Sequence, residues 1–154
     1  MDMLVNLYRL PEDKPIEGIE IVRALPPDIH RILAFVREQF SESWVSECSV
    51  ALYTQSCTCF IAKKDGACIG FACYDATARG MFGPIGVAKE IRGSGVGRAL
   101  LLACLRGMRE AGYGYAVIGW CDEAAPFYEH AVGAVRIPNS EPEHTAYGRM
   151  IMFS

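Results

Sequence analysis

Apolar residues Ile29, Ile32, Leu33, Val36 and Phe40 recur at helical spacing behind Pro26-Pro27-Asp28, which predicts a helix opening at that segment. A second, shorter helix is predicted over Glu42 to Tyr53. Gly18 to Ala24 reads as a strand ahead of them. Cys57 to Lys63 and Cys68 to Tyr74 are β-prone runs on either side of Asp65-Gly66, a hairpin turn signal. Met81 to Val87 reads as the next strand. From Val96 onward Ala99, Leu100, Ala103, Cys104, Gly107, Met108 and Ala111 keep helical spacing, with Arg106, Arg109 and Glu110 on the other face and Gly112 as the stop. Tyr115 to Trp120 reads as a buried strand, Phe127 to Val132 as a short helix, and Val135 to Ile137 and Tyr147 to Phe153 as closing strands. Met3 to Tyr8 is a candidate for an extra N-terminal strand. The resulting order, βααβββαβαββ, predicts a mixed α/β (α+β) sandwich.

Composition narrows this to a compact chain. Its 154 residues fit one domain with one substantial core, in which residues 1–16 form an N-terminal extension. With 51% hydrophobic and 21% charged residues it is expected to be globular rather than disordered. A net charge of −3 argues against a nucleic-acid partner, which would call for a basic face. No apolar run approaches the roughly 20 residues of a membrane span, and the first residues lack a signal-peptide layout. The expectation is therefore a cytoplasmic protein without membrane contact. The 7 cysteines show no paired C-x-x-C spacing, so they read as buried free thiols with no metal site.

The chemistry concentrates at Arg92-Gly93-Ser94-Gly95-Val96-Gly97-Arg98-Ala99, a glycine-rich turn between a predicted strand and a predicted helix. Glycines let the backbone approach a ligand closely, and a helix start presents unpaired N–H groups and a positive dipole end. Such a turn suits a phosphate. A P-loop needs Lys-Ser/Thr after its last glycine, and Gly97 is followed by Arg98-Ala99. A dinucleotide fingerprint G-x-G-x-x-G/A fails as well: Arg98 or Leu100 falls in the last place. Upstream, Gly83, Pro84 and Gly86 are poor strand formers, which predicts a strand that bends or splays from a neighbour and exposes backbone donors.

Arg92-Gly93-Ser94-Gly95-Val96-Gly97 does fit R/Q-x-x-G-x-G/A and resembles the acetyl-CoA-binding motif of the GNAT superfamily of N-acetyltransferases. The order of elements is similar to that family over residues 17 to 153, and Leu7-Tyr8-Arg9-Leu10-Pro11 resembles an L-Y-x-L-P segment of its bacterial-type members. The resemblance implies a mostly antiparallel twisted sheet flanked by helices, with acetyl-CoA as cofactor. Its pyrophosphate would sit on Gly93, Ser94, Gly95, Val96, Gly97 and Arg98, with Arg92 adding charge. Its pantetheine arm would pair with Ile85, Gly86, Val87 and Ala88, the N–H of Val87 or Ala88 binding the thioester oxygen. Phe127-Tyr128, followed by Gly133-Ala134, resembles the family's F-Y-x-x-x-x-G-A segment. Phe127 would then line the cofactor, and Tyr128 would protonate the departing sulfur as general acid.

The implied reaction moves an acetyl group to a primary amine of a small molecule or peptide by direct attack in a ternary complex. Asp75, Glu47 and Asp122 are all candidates for the base, and a water chain is a fourth route. Phe40, Trp44, Glu47, Cys48 and Tyr147 are candidates for the acceptor pocket, and the apolar late strands are compatible with a homodimer. The competing reading is a non-catalytic acyl-CoA-binding sensor or assembly module on the same fold. Tyr128 favours the enzyme, since a pure binder needs no acid beside the sulfur.

Overall fold

The computed structural model describes residues 1–151. Its strands are β1 (Met3–Asn6), β2 (Glu20–Arg23), β3 (Cys59–Lys64), β4 (Ala67–Tyr74), β5 (Met81–Val87), β6 (Tyr115–Ile118) and β7 (Val135–Arg136). Its α-helices are α1 (Ile29–Gln39), α2 (Glu42–Tyr53), α3 (Val96–Glu110) and α4 (Ala125–Val132). The strands form a single seven-stranded sheet in the order β2-β3-β4-β5-β6-β1-β7. Every neighbouring pair is antiparallel except β5 with β6, which is parallel. Among the described residues no helix is long and apolar enough to cross a membrane.

Two apolar layers lie on opposite faces of the sheet, as alternating side chains demand. On one face α3 buries Val96, Leu100, Leu101, Leu102, Cys104, Leu105 and Met108, joined by Ala125, Tyr128 and Val132 of α4. On the other, Ile32 and Val36 of α1 and Val45, Cys48, Ala51 and Leu52 of α2 pack against Cys59, Ile61, Phe71 and Cys73. The start of α2 is fixed by the Ser41 side chain, which accepts the Trp44 N–H at 3.2 Å.

The late strands depart from the sequence reading. Instead of a closing strand from Tyr147, the chain makes a 3-10 turn at Ala146–Arg149; residues 152–153 of that expected strand lie outside the described residues. The place beside β6 is taken by the chain's first residues. β1 pairs with β6 on one side (Met3↔Ile118, Val5↔Ala116) and with β7 on the other (Met3↔Arg136, Leu4↔Val135). Both flanks are extended by backbone bonds, Cys121 N–H to Met1 O at 3.1 Å and Ile137 N–H to Asp2 O at 2.9 Å. A strand filling that slot leaves no ladder partner there for residues 147–151. The N-terminal strand is thus internal and ends at Asn6, because the Asn6 side chain accepts the Tyr8 N–H and opens a 3-10 turn over Leu7–Arg9. Met3 is 0% exposed, so Met3→Ala is expected to cost about 2–5 kcal/mol in an equilibrium denaturant titration. A peripheral strand would tolerate it.

Candidate active site

The glycine turn is built as the sequence requires. Gly93 and Gly95 have φ of +85° and +88°, a left-handed backbone that a side chain disfavours, and Gly95 caps α3. No side chain caps this helix, and among the described residues the N–H groups of Gly93 to Arg98 make no hydrogen bond. Gly93, Ser94 and Gly95 are exposed, so this row of free donors begins at the surface and runs into the buried Val96 and the half-buried Gly97 and Arg98. The two arginines are held differently. Arg92 Nε donates to the Val87 carbonyl at 3.4 Å and stays beside the turn, whereas Arg98 Nη2 reaches Glu12 O of the N-terminal arm at 3.2 Å.

Next to the turn, β5 and β6 pair only at Met81↔Val117 and Phe82↔Ile118. From Gly83 onward β5 keeps its partner β4 on one side and, among the described residues, is open on the other. Opposite Cys73, Pro84 has no N–H to offer, and the β4–β5 register slips between Ala72 and Tyr74. Past the slip the pairing is Ala72↔Ile85, Phe71↔Gly86 and Gly70↔Val87, and Ala88 N–H donates to Ile69 O at 2.9 Å. Antiparallel strands alternate bonded and non-bonded pairs. Gly86 and Ala88 therefore turn their N–H groups toward β4, and Ile85 and Val87 turn theirs toward the open edge. This corrects the expectation for Ala88 as an oxyanion donor, because its N–H is already committed inside the sheet. It also takes the Gly86 N–H out of any pairing with an added strand.

Three elements converge on Gly97. A Cβ there would lie 3.8 Å from Phe127 Cζ and 3.8 Å from Val87 Cγ2, so the start of α3, the end of β5 and α4 meet around a residue without a side chain. Gly86 is covered from the other face: an added Cβ would collide with the Phe40 ring. Gly86→Ala is therefore expected to push Phe40 aside and lower stability by about 1–3 kcal/mol, read as a fall in unfolding temperature. The Phe40 ring meets Trp44 at 5.0 Å and Phe71 at 5.7 Å in tilted pairs, so Phe40 and Trp44, two of the three predicted acceptor aromatics, belong mainly to the packing between the helices and the sheet.

Tyr128 is 5% exposed in α4, with its ring edge-on to Phe82 and Phe127 at centroid distances of 6.2 and 5.1 Å. Its hydroxyl makes no hydrogen bond among the described residues, and burial raises its pKa above the ordinary tyrosine value. It keeps its proton across the neutral range.

The three base candidates separate cleanly. Asp122 is exposed and accepts the N-terminal ammonium at 2.7 Å, a bond that lowers its pKa. Asp75 binds Gly80 N–H at 2.7 Å and the Tyr113 hydroxyl at 3.0 Å, and so ties the β4–β5 turn. Both carboxylates have structural partners. Glu47 is half-buried on α2, and burial raises its pKa against the opposing effect of a hydrogen bond donated by Thr77 Oγ1. Tyr147 stands in the same group: its pKa is pushed up to about 12 by burial and then by the nearby Glu47 carboxylate, with Thr77 beside it. The Tyr147 ring covers Gly119, where an added Cβ would lie 2.6 Å from it, and meets Trp120 at 5.3 Å. Gly119 and Trp120 follow directly on β6, where that strand parts from β5. Thr77 was not singled out by the sequence. Its only signal is a short polar residue in the loop Ala76–Gly80, and that is common to many loops.

Cys48 does not belong to this group. It is 0% exposed under α2, against Cys59 and Cys73. A cavity of about 490 Å³ also lies apart, between the N-terminal arm and the flank of α3, lined by Ile16, Ile21, Arg23, Phe60 and Arg106 rather than by the glycine turn.

Comparison with known proteins bears on this geometry. Residues 28–134 match the acetyltransferase (GNAT) family. Among solved structures, a GCN5-related N-acetyltransferase from Sphaerobacter thermophilus is similar at a TM-score of 0.68 and 23% identity, over 87% of this chain and 47% of that one. The chain thus spans about half the length of that protein. The GNAT family N-acetyltransferase YhbS from Escherichia coli, in complex with CoA, gives a TM-score of 0.57 and 21% identity over 76% of this chain and 71% of its own. The aminoglycoside N-acetyltransferase AAC(6')-Iy, also in complex with CoA, gives 0.58 and 16% over 73% and 86%. None of the curated proteins compared with the chain matches it. At these identities the structures speak for a shared fold, which agrees with the mixed, mostly antiparallel sheet described above. The family match spans the helices, the glycine turn and α4, and the chain belongs to the acetyltransferase (GNAT) family.

Proposed function

We propose that this protein is an acetyl-CoA-dependent N-acetyltransferase acting on a primary amine of a small molecule or peptide. The observation that carries the reading is the row of unpaired N–H groups at Gly93 to Arg98 beside the open edge of β5 at Ile85 and Val87. Those donors fit a pyrophosphate, and the open edge fits an amide-bearing arm lying along it as an added strand. Acetyl-CoA, when bound, supplies an activated acetyl thioester.

The chain's own groups then have distinct tasks. Val87 N–H is free to donate to a carbonyl oxygen and to stabilise negative charge on it; one such donor contributes roughly 3 kcal/mol in a transition state. Tyr128 holds a proton on a hydroxyl that has no hydrogen-bond partner among the described residues, and suits donation to a leaving sulfur. Glu47, desolvated and hydrogen-bonded by Thr77, attracts a cationic amine and takes a proton from it. Phe127 and Gly97 shape the passage between turn and strand, and Tyr147 closes the acceptor side.

A thermal-shift series with acetyl-CoA, CoA, ATP and NAD tests the cofactor, since a ligand of the native state stabilises it by mass action. Stabilisation is expected with the first two alone, and no shift at saturating acetyl-CoA would sink the reading. Mass spectrometry of amines, amino acids, aminoglycosides, polyamines and peptides incubated with acetyl-CoA tests the transfer. Free thiols make sulfhydryl dyes unsuitable for that assay.

A further inference from the structure

Cys48, Cys59 and Cys73 stand in three different elements, yet their sulfurs all lie within 4.8 Å of one another. Cys59 and Cys73 are directly opposite across β3 and β4, and Cys48 descends on them from α2. Because Tyr74 N–H donates to Thr58 O in the neighbouring bonded pair, Cys59 and Cys73 form the closer, non-bonded type of cross-strand pair. All three are 0% exposed among Ile32, Val36, Val45, Ala51 and Phe71. A thiolate-bound ion has bonds of about 2.3 Å, and a pyramidal trivalent centre with angles near 90–100° puts its sulfurs roughly 3.3–3.5 Å apart, so the three need to close by up to about 1.5 Å.

Charge selects the ion. Among the described residues no charged side chain is buried, and no fourth cysteine, histidine or carboxylate joins the three. Three thiolates around a monovalent ion would leave two negative charges in an apolar core and a divalent ion would leave one, a large desolvation cost without a counter-ion. A trivalent ion leaves none. It is also content with three sulfur ligands, so the lack of a fourth costs it nothing.

We propose that Cys48, Cys59 and Cys73 form a binding site for a trivalent thiophilic metalloid, arsenic(III), taken up as neutral arsenous acid. The exchange balances without any oxidant: As(OH)3 and three thiols give As(SR)3 and three waters, as three S–H and three As–O bonds break, three As–S bonds form and each departing hydroxide takes a thiol proton in a new O–H bond. This site is separate from the acetyl-transfer chemistry, and its test needs no acceptor.

The experiment is native mass spectrometry of the full chain with one equivalent of arsenite under a phosphine reductant, loaded both in the folded state and during refolding. The expected product carries one arsenic and has lost three protons, and X-ray absorption on it shows three sulfur neighbours. Cys48→Ala, Cys59→Ala and Cys73→Ala are each expected to weaken retention at least 100-fold, whereas Cys104→Ala, an equally buried thiol outside the cluster, leaves it unchanged. No arsenic retained by either route, a two-sulfur shell in the wild-type protein, equal retention by Cys73→Ala, or preferential uptake of zinc or copper(I) from an equimolar mixture would each overturn the proposal. The wild-type absorption result stands even where a variant fails to fold.

Discussion

Tyr128→Phe is expected to lower turnover by about 10²–10⁴-fold while leaving the affinity for CoA within a few-fold of the parent. The substitution removes one oxygen from a ring otherwise held by Phe82 and Phe127, so packing survives and the proton donor is lost. Turnover is read by mass spectrometry of the acetylated amine, and affinity by calorimetry with CoA. Equal losses in both would make the residue a packing element. Unchanged turnover would remove it from the mechanism. Because burial raises the pKa of Tyr128, no alkaline fall in rate is expected from it near neutrality.

Glu47→Gln is expected to reduce kcat by about 10²-fold or more and to flatten the acid side of the pH–rate profile. Glutamine retains an oxygen for the Thr77 hydroxyl, so the local geometry is kept and basicity alone is removed. The sign follows from the pKa. A base works deprotonated, so the rate falls as pH drops through its pKa, and burial of Glu47 moves that limb above the ordinary carboxylate value of 4.5. The same shift has a stability consequence of opposite sense: the folded protein favours protonated Glu47, so this group's contribution is present at acid pH and is lost as pH rises through the raised pKa. Asp122→Asn is expected to leave the profile intact, since that carboxylate is exposed and bound to the N-terminal ammonium. A profile altered by Asp122→Asn and untouched by Glu47→Gln would reverse the assignment.

Local signals carried much of the fold. α2 begins and ends where predicted because Ser41 is a good cap and the apolar spacing runs out at Tyr53. The glycine turn was legible for a similar reason, since positive φ at Gly93 and Gly95 is a demand that residue type reveals. Long-range pairings were not legible. Nothing near Met3 announces that it will sit between Ile118 and Arg136, and an apolar segment at Tyr147 fits a strand pattern just as well. Strand parity was invisible for the same reason: whether Val87 or Ala88 shows its N–H to the open edge depends on the β4 register, which the slip opposite Pro84 sets. The grouping of Glu47 with Thr77 and Tyr147, and of three cysteines under α2, likewise appears only once distant elements are packed.

The internal position of β1 has a consequence for how the molecule is made. β1 finds its neighbours only after residues 115–118 and 135–136 have been synthesised, so this side of the sheet closes late relative to the β3–β4 hairpin. Contacts so far apart in sequence are slow to close. Until then β1 is an apolar strand without a partner and can pair with a stray edge, which makes nascent-chain chaperoning and expression temperature natural determinants of yield.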